Sequence, residues 1–179
     1  MNRRKLLSYS LGTGATLTCS LLALSLQGTT MIAPSQPLLC FTEKEYSILF
    51  AVAEILIPSN PPFPSASMVH VAQKVEAVIS RAHKEQQEQF SLVLALIENP
   101  SVSTLLNAQI HPFTQSTDSE KIQRLESWRT GVQKLRSAFK ALNGICNAAY
   151  YADLSVEKLV GYNGPPASIL EIRRAKGYP

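Results

Sequence analysis

The stretch VQKLRSAFKALNGICNAAYY, residues 132–151, decides the fold class. Its apolar residues Val132, Leu135, Phe139, Leu142, Ile145, Cys146, Ala149 and Tyr150 recur at the spacing that lines one face of an α-helix. Working outward, Thr117-Asp118-Ser119-Glu120 has the form of a capping box, in which Thr and Glu satisfy each other's unpaired amides. It opens a helix carrying Ile122, Leu125 and Trp128. A second such box, Thr42-Glu43-Lys44-Glu45, opens a helix with Tyr46, Leu49, Phe50, Ala53 and Ile57, closed by Pro58. A proline-rich loop from Ser59 to Pro64 leads to a helix with Val69, Ala72, Val75, Val78, Ile79 and Ala82 on its apolar side. Glu85 to Glu98 makes another, with Phe90, Val93, Leu94 and Ile97 aligned, ended by Asn99-Pro100. A short turn around Leu105-Leu106 precedes the loop His111-Pro112-Phe113, and Asp153 caps a last short helix running to Leu159. Gly161-Tyr162-Asn163-Gly164-Pro165-Pro166 stops that helix. No alternating strand pattern is present, so the expected fold is all-α, one domain of five or six helices.

The chain has 179 residues with 45% hydrophobic and 17% charged, which suits one domain with a real core and excludes a multispanning membrane protein. The net charge of +4 says little about partners. Of 17 Lys and Arg, three (Arg3, Arg4 and Lys5) sit at the acid-free front, which leaves 14 against 13 Asp and Glu. No basic stripe interleaved with aromatics runs along the chain, which removes the electrostatic argument for a nucleic-acid partner.

The organisation expected is a leader over 1–28, a linker over 29–41, a helical domain over 42–166 and a basic tail over 167–179. In the leader, Arg3, Arg4 and Lys5 precede Leu11 to Leu26, which is apolar and small, and no charge stands between Leu6 and Thr42. Gly12, Thr13, Gly14, Thr16, Thr18 and Ser20 dilute that stretch, as in a signal peptide. Asn2-Arg3-Arg4-Lys5-Leu6-Leu7 resembles the core of a twin-arginine (Tat) signal, with Leu6 where Phe is commoner and Ser8 where Lys is frequent. Ala23-Leu24-Ser25 offers a cleavage site after Ser25. Uncleaved, Leu6 to Leu26 would serve as an amino-terminal membrane anchor. Neither Cys19 nor Cys40 has the small-residue context of a lipoprotein cysteine. The Tat resemblance implies export in the folded state, for which the usual reason is a cofactor inserted in the cytoplasm. The mature chain offers no site for one.

A search for chemistry finds little. Gly12-Thr13-Gly14 begins like a dinucleotide loop, but Leu17 replaces the third glycine and no strand precedes it. There is no Gly-x-Ser-x-Gly elbow and no phosphate loop. His70, His83 and His111 share no metal-ligand spacing and read as surface or helix-end residues. Glu85, Glu88, Glu98 and Glu120 read as solvating charges on polar faces. Two mature cysteines are too few for a cysteine-ligated iron–sulfur cluster. Cys40 and Cys146 leave three readings open: an internal disulfide formed outside the cytoplasm, two free thiols with Cys146 as a small core residue, or a bond to another subunit.

Read in order, three features resemble the family of gluconate 2-dehydrogenase subunit 3. They are the Tat-like leader, Phe41-Thr42-Glu43-Lys44-Glu45 heading a helix that ends Ile55-Leu56-Ile57-Pro58, and the block Ala149-Tyr150-Tyr151-Ala152-Asp153 running to Leu159-Val160-Gly161-Tyr162-Asn163-Gly164-Pro165. The last block is the most specific, and the resemblance covers about Phe41 to Pro166.

The resemblance implies a non-catalytic small subunit with no catalytic residue, metal or cofactor of its own. Its expected partner is a large FAD-bearing dehydrogenase subunit of the glucose-methanol-choline type, acting on an alcohol, sugar or sugar acid. A cytochrome c subunit often completes such complexes. Export of that folded flavoprotein would explain a Tat signal on a chain without a cofactor. Arg3 and Arg4 would then engage the Tat translocase, and the complex would reside in the periplasm or on the periplasmic face of the inner membrane. Tyr150, Tyr151 and Tyr162 are aromatics of the kind found in interface cores, with ordinary packing of the last helix as the equal alternative. Gly161 and Gly164 would supply positive-φ or close-approach backbone at the turn. A different class of reading is a stand-alone exported or membrane-anchored helical envelope protein. A small independent enzyme is disfavoured by the empty motif search.

Overall fold

The computed structural model describes residues 28–100 and 110–162. Within them lie six α-helices: α1 (Glu43–Leu56), α2 (Val71–Ile79), α3 (Lys84–Glu98), α4 (Asp118–Thr130), α5 (Gln133–Tyr151) and α6 (Leu154–Leu159). A 3₁₀ turn, Phe113–Gln115, precedes α4. Among the described residues there is no strand, only an isolated bridge between Asn60 and Phe63. The chain is therefore a single all-α domain. The expected leader, the turn around Leu105-Leu106 and the basic tail lie outside the described residues.

Both capping boxes form. Thr42 accepts from the Glu45 amide at 3.2 Å while Glu45 accepts from the Thr42 amide at 2.8 Å. Thr117 and Glu120 repeat the exchange at 3.4 and 2.8 Å. α1 lies at the centre, in contact with α2, α3, the 3₁₀ turn, α4 and α5. Leu49 and Val52 of α1, Val71 and Val75 of α2, Leu94 and Ile97 of α3, and Trp128 of α4 are all buried there. From α5, Leu142, Cys146 and Tyr150 face the same core. Val132 and Val78, expected on apolar seams, are exposed instead. Val132 caps α5 rather than belonging to it, and Val78 lies beyond the stripe that Val75 and Ile79 bury.

Two polar clusters organise the periphery. Glu98, expected in solvent, is buried at the end of α3 and accepts from Thr114 N at 3.0 Å and Thr114 Oγ1 at 2.7 Å. Arg124 of α4 is fully buried beside it and donates to the carbonyls of Ile97 at 3.0 Å and His111 at 2.8 Å, and to Ser116 Oγ at 3.3 Å. Its guanidinium also lies 5.7 Å from the Phe113 ring centroid. Burial draws its pKa down to about 10, against the opposing pull of Glu98 and Glu120. Five donors in a planar fork let one side chain tie three chain segments together.

The second cluster concerns residues 28–41. They form no regular element, yet they are strapped to the body. Glu76, buried on the inner face of α2, accepts from the amides of Leu39 at 2.6 Å and Cys40 at 2.7 Å. Ser47 accepts from Ile32 N at 2.8 Å, and Ser35 donates to Gln73 at 2.7 Å. Thr30 N donates to Thr114 Oγ1 at 3.1 Å, and Gln115 Nε2 donates to the Gly28 carbonyl. Phe41 ends the strap, its ring stacked on Phe90 at 5.6 Å.

Candidate partner-docking surface

α6 and the residues around it form the most unusual surface of the described domain. Asp153 caps the helix by accepting from Ser155 N at 2.9 Å, and its other oxygen receives Lys74 of α2 at 2.5 Å. The lysine, with the two Ser155 donors, holds the Asp153 carboxyl at about 2, below its ordinary range. Val156 is fully buried and pins one side of α6 to the core. At the far end Gly161 adopts φ +71°, with Gly161 N donating to Lys158 O at 3.2 Å and Tyr162 N to Glu157 O at 3.0 Å. This pair of bonds is a Schellman stop. A Cβ on Gly161 would meet nothing within 4 Å, so the glycine is needed for its left-handed backbone and not for close approach.

The three tyrosines divide. Tyr150 is buried, and its hydroxyl donates to the Pro64 carbonyl at 2.8 Å. It takes the packing role, and burial raises its pKa. Tyr151, edge-on to it at 5.4 Å, and Tyr162 are each 52% exposed. Leu154 is 71% exposed, and Leu159 and Val160 are also exposed. Large apolar side chains concentrated on so short a segment mark an interaction surface more than an enzyme site. Gly164 lies outside the described residues. A second apolar feature is a groove of about 580 Å³ between α3 and α5, lined by Phe90, Leu92, Val93, Ala138, Ala141 and Ile145.

The remaining expected site residues are not brought together. Arg3 and Arg4 lie outside the described residues. Cys40 and Cys146 are both free thiols, so the structure contains no bridge between them. Cys146 is fully buried in the core, which puts its sulfur out of reach of another chain, and burial pushes its thiol up to about 12. Cys40 is half-buried on the strap beside Glu76; burial, then that carboxylate, raise its thiol to about 11. His70 and His83 are exposed at the starts of α2 and α3, His70 with φ 54°, and His111 is exposed in the loop before the 3₁₀ turn. Among the described residues no three His, Cys, Asp or Glu side chains converge to hold a metal. Nor is any helix among them long and apolar enough to cross a membrane.

Glu76, Lys74 and Arg124 belong to no sequence motif, and their partners lie far away along the chain. A signal for Glu76 was present: it stands four residues after Ala72 and three before Ile79, on the buried face of α2.

Among the described residues, the helical domain presents apolar and aromatic side chains around the short helix α6. The chain belongs to the gluconate 2-dehydrogenase subunit 3 family, whose model matches residues 43–164 and so spans all six helices. No curated protein and no solved structure matches the chain.

Proposed function

We propose that this protein is the non-catalytic small subunit of a dehydrogenase complex. It would escort through export, and then stabilise, a large FAD-dependent subunit of the glucose-methanol-choline type that oxidises an alcohol, sugar or sugar acid. The observation that carries this reading is the family match over residues 43–164, which includes the whole helical body. The exposed Tyr151, Leu154 and Tyr162 supply a surface suited to a protein partner. Arg3 and Arg4 supply the Tat signal, and the complex acts in the periplasm or on the periplasmic face of the inner membrane, with a cytochrome c subunit as a further member.

The reading is tested by replacing Arg3 and Arg4 together with Lys in the native host and comparing the exported proteomes. A large flavoprotein should disappear from the envelope fraction along with this chain and accumulate with it in the cytoplasm. An envelope in which every flavoprotein keeps its level while this chain is retained inside would sink the escort role.

A further inference from the structure

The groove between α3 and α5 is bordered by two seams with the same spacing. On α3, Glu85, Gln89, Leu92 and Leu96 follow at steps of four, three and four residues, and on α5, Lys134, Ala138, Ala141 and Ile145 repeat those steps. Alternating steps of four and three keep side chains on one side of a helix, where a further helix packs. Gln89 and Leu92 of the first seam and Ala138, Ala141 and Ile145 of the second line the same groove of about 580 Å³, so the two seams form one surface.

That surface is complementary to itself. Its α3 side is a ridge, with Leu92 60% and Leu96 36% exposed, and its α5 side is a shallow row of small residues, Ala138 and Ala141. Ridges of large side chains seat in the grooves that small ones leave when helices pack. The charges are opposed in the same sense. Glu85 opens the α3 seam and Lys134 the α5 seam, both are exposed, and neither enters an ion pair among the described residues. Every charged residue of α5 is a cation: Lys134, Arg136 and Lys140. A second copy turned about a two-fold axis brings the leucine ridge and Glu85 of each copy to the alanine row and Lys134 of the other. Each feature is then matched twice.

We propose that this face is an isologous contact between two copies of this chain, so that the assembly holds two small subunits. The inference goes beyond the escort reading and does not depend on which large subunit is bound, because α6 contributes no residue to the groove.

The test co-expresses two differently tagged full-length copies in the native host, one carrying Leu92→Cys and the other Ala141→Cys. Mild oxidation of intact cells should join the two tags in one disulfide-linked pair. Its yield should be several times that of either variant paired with the unsubstituted chain. Charge reversal supplies a second measurement. Glu85→Lys alone and Lys134→Glu alone should each lower co-capture of the two tags about fivefold, because each reversal acts at two symmetry-related places. The two reversals together should restore it. No co-capture, co-capture unmoved by either reversal, or a double variant no better than the singles would overturn the proposal. So would a cross-link from position 141 to a different chain with none between the tags. Both tags sit on this chain, so a failed pairing and a failed capture of a flavoprotein are separate results.

Discussion

At the front of the domain, residues 28–41 hold on through polar groups that reach main-chain atoms. At the back, residues 150–162 hold on through Tyr150, Asp153 and Val156, and leave Tyr151, Leu154 and Tyr162 in water. The front could have been a loose tether, and the back could have been turned inward. The part-buried hydrogen bonds to Ser47 and Glu76 favour one arrangement because leaving their donors unpaired is costly. Single exposed apolar side chains are ordinary, but several on one short segment are the pattern of an interaction surface. The difference separates a segment fixed by hydrogen bonds from one that leaves several apolar side chains exposed.

The sharpest way to break this contrast is Glu76→Ala, which strips the acceptor from two strap amides. It should cost about 3 kcal/mol in urea unfolding and open residues 28–41 to proteolysis. Glu76→Gln keeps an acceptor oxygen and should cost clearly less. Equal losses in the two variants would mean that the strap is held by something else.

Next in size is the back surface. Replacing Tyr151 and Tyr162 together with Ala should weaken retention of the large subunit by about 2 kcal/mol, roughly 30-fold, in a titrated capture assay. Folding stability should stay within about 0.5 kcal/mol, because both side chains are exposed. A loss of stability with full partner retention would reassign these residues to packing.

A smaller effect is expected at the α6 stop. Gly161→Ala forces a Cβ into φ +71° and should cost about 1 kcal/mol, read as faster amide exchange over Leu154–Leu159.

The smallest effect is in pH. Folding lowers the Asp153 pKa from 3.8 to about 2, so the ionised carboxylate is the form that stabilises. Its contribution is complete above the unfolded value and fades as pH falls towards about 2. Amide exchange in α6 should accelerate over that window, and Asp153→Asn should flatten the profile there. Solvent around the Lys74 pair keeps the effect modest.

Much of the body was legible because its signals are local. Thr42 with Glu45, and Thr117 with Glu120, announce two helix starts within four residues each, and the seam from Leu135 to Tyr150 announces α5. The positive φ at Gly161 follows from the turn residues around it. What escaped is held by partners far apart in sequence. Residues 28–41, with Pro34 and Pro37 and no charge, read as a linker, yet their acceptors are Ser47, Gln73, Glu76 and Thr114. Glu98 reads as a solvating charge until Thr114 folds back onto it, and Arg124 as an ordinary helix cation until three segments converge on it. Aromatic composition marks Tyr150, Tyr151 and Tyr162 alike, and only the packing of α5 on the Pro64 loop separates the buried one from the exposed pair.

The most direct test of the escort role is affinity capture of this protein from native envelope extract, followed by a visible absorption spectrum. The account predicts a co-purifying chain of large-subunit size with flavin bands. A single colourless chain, from an extract in which the protein is abundant, would contradict it.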